Sequence, residues 1–278
     1  MNDTAMLQAF SAHLKREERS ANTIEKYRRD LGAFFSWLAG RALTKEATLA
    51  WKEHLAACHA PASVNSMLAA LNSFLAFCGT PEYRVKPLKI QRAIFAKPEK
   101  ELTRQEYARL VTAAQRRQNQ RLALLLQTIC ATGIRVSELP YITVEAVAVG
   151  RATVDCKGKT RTVFLPKELC RSLRRYCTQR NIRNGVVFLS KSGRPLNRSN
   201  IWRSMKTLCT SAGVEPGKVF PHNLRHLFAR TYYQLEKDLS RLADLLGHAS
   251  ISTTRIYTME SGMEHIRQLE RMDLVLET

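Results

Sequence analysis

The stretch PHNLRHLFAR, residues 221–230, is the most informative short motif of this chain. A helix that begins near Pro221 carries His222 and Arg225 on one face, because residues three apart on a helix are neighbours. Both side chains can therefore point at one ligand. His222 and His226 also offer a zinc pair, but the zinc-protease pattern is HExxH, and residue 223 is Asn. The motif therefore favours a shared ligand other than zinc.

Two more motifs carry charge at turns. In ATGIRVSELPYI, residues 131–142, Gly133 breaks a helix, Arg135 follows at once, and Glu138 lies three residues later. In VDCKGKTRTVFLP, residues 154–166, a tight hairpin presents Lys157 and Lys159 beside a glycine. Basic elements of this kind fit a DNA groove. Taken singly, each charge is equally typical of a solvated surface.

A fourth motif, LLGHASISTTRIYT, occupies residues 245–258. Gly247 ends a helix and places His248 in a loop. Ser250 or Ser252 then caps a short helix that carries Tyr257. Taken alone, Tyr257 is a structural tyrosine as readily as a reactive one.

The charge of the chain indicates its partner. Its 278 residues include 44 Lys+Arg against 24 Asp+Glu, a formal net charge of +20, and its pI is about 10.1. Nucleic acid is the favoured partner, because neutralising phosphates releases condensed counterions. The alternative is a basic surface that merely keeps the protein in solution.

Composition also bears on the compartment. The apolar run at residues 122–134 is shorter than the roughly 20 residues of a membrane span, and we expect neither a membrane segment nor a secretory signal. The seven cysteines are scattered and never spaced CxxC, which predicts a reducing compartment without a disulfide framework or zinc ribbon. We therefore expect a cytoplasmic, nucleoid-associated protein.

Hydrophobic periodicity predicts three segments. Residues 1–79 are predicted to form a compact four-helix unit, with Asn22 and Glu25 as an N-cap signature. Residues 80–100 contain three prolines and six basic residues, and they predict an extended basic linker. Residues 101–278 open with a capping box from Thr103 to Glu106. They are predicted to be mainly helical, with β-type runs at 151–156, 160–166 and 185–190.

The order of these motifs resembles the tyrosine recombinase (phage integrase) family, and within it the short, two-domain, Xer-like members. The matching pieces are the arginine of GIRVSEL, a lysine on a β-hairpin, HxLRH, LLGH, and a tyrosine nine residues after that histidine. The resemblance covers nearly the whole chain, since SANTIEKYRRDL, residues 20–31, is similar to the family's helical core-binding (SAM-like) domain. It implies a mainly α fold with a small β-sheet, in which that domain precedes a catalytic domain.

The resemblance also implies a site-specific DNA recombinase that works through a 3′-phosphotyrosyl intermediate, without metal, ATP or another cofactor. Arginine forks would clamp the scissile phosphate, because a planar guanidinium matches its geometry. Other residues would transfer protons, support the phosphate or attack it. The implied clamp is Arg135 and Arg225, the proton-transfer residues are Lys157 and His222, the supporting residue is His248, and the nucleophile is Tyr257. The hairpin sequence KGKTRTVF is one residue shorter than the family pattern KGxKxR, so Lys159 stays open as the acid.

The C-terminal stretch carries an apolar stripe, made of Met263, Ile266, Leu269 and Met272. This stripe either packs on its own domain or, as the resemblance implies, docks into a neighbouring protomer in a tetramer on two DNA sites. Two other functions stay open, a type IB-like topoisomerase that acts as a monomer and a catalytically inactive DNA-binding regulator. A requirement for two target sites and a tetramer separates recombinase from topoisomerase. The purpose of the recombination, such as integration, excision or resolution in a mobile element, depends on where the sites lie.

Overall fold

The computed structural model describes residues 3–90, 98–156, 159–190, 192–248, 250–258, 266 and 269–272. The chain divides into two compact units, Met1–Arg92 and Ala93–Thr278. In the described residues, no helix is both long and apolar enough to cross a membrane. The same residues contain no group of three or more His, Cys, Asp or Glu side chains arranged to hold a metal ion.

The first unit is built from the predicted helices, α1 (Asp3–Arg16), α2 (Ala21–Leu38), α3 (Lys45–Cys58) and α4 (Pro61–Phe77). Their apolar faces meet in one core, in which the rings of Phe10 and Phe74 pack edge to face at 5.4 Å. The predicted N-cap at Asn22 is wrong, because Ser20 caps α2 and accepts a hydrogen bond from the Thr23 backbone N–H. The sequence offers capping side chains at both positions, and the earlier one begins the helix.

Residues 80–90, the first part of the predicted linker, pack on the first unit. Asn65 of α4 donates to the Leu88 carbonyl (2.9 Å) and accepts from the Leu88 N–H (2.7 Å). Asn72, two turns later, forms the same pair of bonds with Val85, at 2.8 and 3.0 Å. The two amides thus hold this segment along α4, so an extended connection cannot start before residue 90.

The second unit surrounds α6 (Gln120–Thr132), which is buried along most of its length and packs on α5 (Arg104–Arg116), α8 (Lys167–Gln179) and α11 (Pro221–Glu236). The predicted capping box of α5 is confirmed, with Thr103 and Glu106 each accepting from the other's backbone N–H. The other helices are α7 (Val144–Val149), α8 (Lys167–Gln179), α9 (Arg198–Lys206), α10 (Cys209–Ala212), α11 (Pro221–Glu236), α12 (Leu239–Leu246) and α13 (Ile251–Thr254).

The predicted hairpin is present as an antiparallel pair, β1 (Arg151–Cys156) and β2 (Lys159–Phe164), with Val154 opposite Arg161 and Cys156 opposite Lys159. The third predicted β run is wrong as a strand. Residues 185–190 make only isolated bridges, at Val186 and Leu189. Val187 and Phe188 are buried in the core, so their apolar character serves packing rather than a sheet.

Candidate active site

One cleft of about 1030 Å³ collects side chains from four separate segments of the second unit. Five of the six residues that the resemblance singled out line it. These are Arg135, His222, Arg225, His248 and Tyr257. Lys157, the sixth, lies outside the described residues. The backbone of Lys159 belongs to β2, and its side chain is not described. Segments more than a hundred residues apart therefore converge on one place.

Arg225 is the centre of the cleft wall and is almost fully buried, with 2% exposure. Its guanidinium donates to the carbonyls of Gly133 and of Leu246 (2.7 Å), and to Nε2 of His248 (3.0 Å). Both carbonyls belong to helix C-termini, those of α6 and α12, where the helix dipole favours a cation. Burial and the charge of Arg135 lower the pKa of Arg225 to about 10, while a hydrogen bond with Tyr257 acts in the opposite direction. The guanidinium therefore remains charged at neutral pH.

Arg135 lies at the mouth of the cleft, with its side chain 35% exposed. It donates from Nη1 to Glu138 (2.8 Å) and from Nη2 to the Gly247 carbonyl (3.1 Å). The turn that delivers it needs a glycine at 133. The φ of Gly133 is +63°, and a Cβ there would lie 2.5 Å from the Phe228 ring. The predicted helix break at Gly133 is thus confirmed.

Glu138 holds two arginines and is buried. One carboxylate oxygen accepts from Arg135 Nη1, and the other accepts from the Arg135 backbone N–H and from Arg161. Burial alone would raise the pKa of Glu138, but the bonds from Arg135 and the charge of Arg161 keep that pKa below its ordinary value. Arg161 is a site residue that the sequence reasoning missed. Its signal was an arginine among the apolar and hydroxyl residues of a strand, two residues after Lys159 and four after Lys157.

His248 has its tautomer set by two neighbours. Because the arginine is a donor, Nε2 of His248 accepts from Arg225, and Nδ1–H then donates to Oγ1 of Thr254 at 2.7 Å. Burial, followed by the charges of Arg225 and Arg135, lowers the pKa of His248 to about 4. The ring is therefore neutral at physiological pH and holds the Arg225 guanidinium in place.

Tyr257 sits in a short 3-10 turn, Arg255–Thr258, directly after α13. Ser250 caps α13, which decides between the two predicted caps. The phenol ring is 5% exposed and packs with Ala229, Leu242 and Leu246. A neutral histidine ring also stacks on it, since the His248 ring lies 5.6 Å away at an interplanar angle of 18°. The nucleophile candidate is thus held rigidly at the cleft wall.

Two histidines of α11 complete the surroundings of the phenol. The His226 ring meets the Tyr257 ring edge to face at 4.5 Å, and the His222 ring lies at 6.4 Å. Burial and nearby arginines lower the pKa of His222, and burial with His222 and Arg225 lowers the pKa of His226 to about 4. His226 is the second residue that sequence reasoning passed over as a site component. The arrangement offers cations for a phosphate and a neutral base for a phenol.

Comparison with known proteins gives a consistent result. Residues 100–263 match the phage integrase family model, and residues 7–79 match the phage integrase N-terminal SAM-like domain. The chain is 30% identical to tyrosine recombinase XerA of Thermococcus kodakarensis (98% of this chain, 96% of XerA) and 32% identical to XerD of Xanthomonas campestris (96% and 91%). A lambda integrase tetramer bound to a Holliday junction shares the fold, with a TM-score of 0.69 at 17% identity over 91% of this chain and 76% of that one.

Proposed function

This chain belongs to the phage integrase family and is a tyrosine recombinase, an enzyme that cleaves and rejoins DNA strands; we propose that Tyr257 is its nucleophile. The observation that carries the proposal is the set of contacts around Arg225. Its guanidinium bonds to His248, whose ring stacks on the buried phenol ring of Tyr257 at 5.6 Å, and these three residues line the same cleft as Arg135. A phosphate in this cleft would meet two cations and a buried phenol at once.

In the proposed reaction the Tyr257 oxygen attacks the scissile phosphorus. A P–O bond to tyrosine forms while the P–O5′ bond breaks, which leaves a 3′-phosphotyrosyl link and a 5′-hydroxyl. The phenol gives up its proton, and the leaving 5′-oxygen takes one. One phosphoester replaces another, so the energy of the linkage is retained and no ATP is consumed. Attack by the 5′-hydroxyl of a second strand reverses the step and joins the strands in a new order.

The two arginines would stabilise the charge that develops on the nonbridging oxygens. Arg225 is already oriented by carbonyls and by His248, so little reorganisation accompanies the reaction. Arg135 faces the cleft, and its bonds to Glu138 and Gly247 use two of the five N–H groups of a guanidinium. Each such donor is worth roughly a hundredfold to a thousandfold in rate.

His222 is the proposed base for the phenol. Its lowered pKa leaves the ring neutral at pH 7, which a proton acceptor requires. We propose that His248 supports the phosphate through Arg225, because its Nε2 is occupied by that guanidinium.

A hairpin lysine is the proposed acid for the leaving 5′-oxygen, with Lys157 the first choice and Lys159 the alternative. Lys157 follows the last residue of β1 in the sequence and Lys159 begins β2, and β2 is joined to the site through the bond from Arg161 to Glu138. A lysine among several cations has its pKa lowered toward neutrality, which suits proton donation at physiological pH.

Double-stranded DNA is the proposed substrate, contacted by both units, with residues 1–79 as the core-binding domain, 80–100 as the connection and 101–278 as the catalytic domain. The net charge of +20 supports this partner.

We also propose a tetramer on two sites, joined by the C-terminal stripe. Ile266, Leu269 and Met272 support it, because they are about half exposed or more. Met263 lies outside the described residues. The proposed place of action of the protein is the nucleoid, in the cytoplasm.

The nucleophile can be tested without knowing the target site. The full chain is incubated in excess EDTA with a pool of random-sequence duplexes. Each duplex carries a nick, so that cleavage releases a short fragment. Once that fragment diffuses away, the strand cannot be rejoined and the covalent complex is trapped. After a denaturing detergent quench, a protein–DNA adduct is expected for the wild type and for Tyr232→Phe, and none for Tyr257→Phe. Tyr232 is the matched control because it packs in the same cluster. An adduct that persists in Tyr257→Phe, or that requires a divalent metal, overturns the proposal.

The sites recovered from those adducts then test the assembly. Leu269→Glu is expected to shift the complex with site DNA from a tetramer on two duplexes to smaller species in analytical ultracentrifugation. Glu270→Gln, at the neighbouring position, is the control and should leave the tetramer intact. A Leu269→Glu protein that still forms tetramers contradicts the role of the stripe. Efficient relaxation of supercoiled DNA by a monomer would instead favour the topoisomerase function.

A further inference from the structure

Arg161 on β2 is the least exposed cation of the cleft surroundings after Arg225, with 11% of its side chain exposed. Nη2 donates to Glu138, and Nη1 donates to the Leu245 carbonyl at 2.7 Å. Nε is buried and, among the described residues, meets no hydrogen-bond acceptor. Burial of a charged side chain with an unsatisfied donor is costly, so this position points to a specific task.

The side chain of Arg161 also packs against the turn that carries His248. A Cβ added at Gly247 would lie 2.3 Å from Cδ and 2.9 Å from Nε of Arg161. The carbonyl of that same Gly247 accepts from Arg135. Arg161 therefore joins β2 to the 135–138 turn on one side and to the end of α12 on the other.

These contacts anchor the hairpin. Arg161 stands opposite Val154, one pair away from Asp155 and Thr160 and two pairs away from Cys156 and Lys159. On the facing strand, β1, the Asp155 carbonyl accepts a hydrogen bond from the Tyr141 hydroxyl at 2.8 Å, but that contact is exposed and uncharged. Ala152, Val154 and Val163 fix the hairpin in the hydrophobic core, and Arg161 adds its buried polar link to Glu138 and to the end of α12 beside the cleft.

We propose that Arg161 is a positioning residue, which fixes the β-hairpin on the active site so that the hairpin lysine reaches the leaving 5′-oxygen. This inference rests on the proposed function, in which Lys157, or in its place Lys159, protonates that oxygen. Arginine is required because it bridges two acceptors with a planar fork. Lysine offers a point charge that cannot hold Glu138 and the Leu245 carbonyl in the same way.

A change of leaving group tests this role. In a duplex with sulfur in place of the bridging 5′-oxygen, the leaving group is a thiolate. A thiol has a pKa of about 8.5, so the sulfur leaves as a thiolate without help from a proton donor. Variants that have lost only the acid, or only its position, should therefore be slow on the oxygen substrate and recover on the sulfur substrate.

Single-turnover adduct formation would be measured on both substrates. The control is Arg151→Met, at an exposed position at the far end of the hairpin. It is compared with Lys157→Met, Lys159→Met, Arg161→Lys and Arg161→Met. One lysine variant should lose about a hundredfold or more on oxygen and recover on sulfur. The Arg161 variants should show the same pattern, and Arg151→Met should match the wild type on both substrates. The ratio of the two rates is independent of the fraction of folded protein.

Equal losses of Arg161→Lys and Arg161→Met on oxygen and sulfur would overturn the inference, because they indicate a defect in the phosphate clamp or the fold. Wild-type rates of both variants on oxygen would overturn it as well. If neither lysine variant recovers on sulfur, the acid assigned in the proposed function is wrong, and that outcome is distinct from failure of Arg161 alone. Recovery of Lys159→Met rather than Lys157→Met keeps the inference and names the lysine.

Discussion

The two sides of the catalytic cleft differ in how they hold their arginines. On the buried side, Arg225 is 2% exposed and bonded to two helix-terminal carbonyls and a neutral histidine. On the open side, the Arg135 side chain is 35% exposed, and the half-exposed Trp202 lines the same cleft. The buried cation is oriented by folding itself, whereas the open one keeps donors available for DNA. The same residue type thus serves stability and chemistry together on one side, and mainly chemistry on the other.

The largest effect is expected on the buried side. Arg225→Met should abolish measurable adduct formation and also lower the free energy of unfolding, because the carbonyls of Gly133 and Leu246 lose their donor. Each buried acceptor left unsatisfied costs about 1–3 kcal/mol. Urea unfolding and the adduct assay test both effects. Full stability with lost activity would mean that the buried side is not set by folding.

Arg135→Met should separate the two properties. Adduct formation is expected to fall by roughly a hundredfold or more, since one donor to the phosphate is lost. The free energy of unfolding should fall by less than in Arg225→Met, on the order of 1–3 kcal/mol in all, because one oxygen of the buried Glu138 loses its donor while the other keeps its bond to Arg161. A stability loss as large as that of Arg225→Met would erase the distinction between the two sides.

Gly133→Ala sharpens the comparison through the backbone. The new Cβ would meet the Phe228 ring at 2.5 Å in a residue with φ of +63°, so overpacking adds to backbone strain. We expect a loss of about 1–3 kcal/mol in the free energy of unfolding. Gly150→Ala is the matched control, because its φ is +79° but nothing lies within 4 Å of the added Cβ. If thermal unfolding shows equal losses for both, the contact with Phe228 carries no weight.

Much of the site was predictable because each motif is local. A few residues of sequence are enough to show each of three site features. These are Gly133 before Arg135, the three-residue spacing of His222 and Arg225, and Gly247 before His248. The helices of both units and the β-hairpin were predictable for the same reason, since periodicity and turn residues act over short distances.

The parts that escaped prediction depend on tertiary contacts. Arg161 reaches Glu138 across 23 residues, and His226 meets Tyr257 only because the 3-10 turn after α13 packs on α11. The role of His248 also required the structure, since only its distance to Arg225 shows which nitrogen accepts. At residues 185–190, β propensity was misleading, because Val187 and Phe188 are held by core burial.

The smallest effect is expected from pH, and it probes the histidines between the two sides. Burial and the neighbouring arginines lower the pKa of His222, so its neutral form persists at pH values below the ordinary range near 6.5. In the dependence of kcat/KM on pH, which reports the free enzyme, the rate should stay level from pH 8 to 6.5. It should decline only at lower pH, as His222 takes up a proton and stops acting as a base.

Stability should follow the same direction. His226 and His248 have pKa values of about 4 in the folded protein. Below a pH of about 6.5, the unfolded chain therefore binds more protons at these histidines than the folded protein does. Stability is therefore complete above that pH and decreases progressively toward pH 4. His222→Asn removes the base but leaves the burial and the arginine charge that lower the pKa values of His226 and His248. This variant should be slow with a flat rate profile and should still lose stability in acid. A decline in wild-type kcat/KM that starts above pH 6.5 would indicate a raised pKa and a charged His222, which is incompatible with its role as the base.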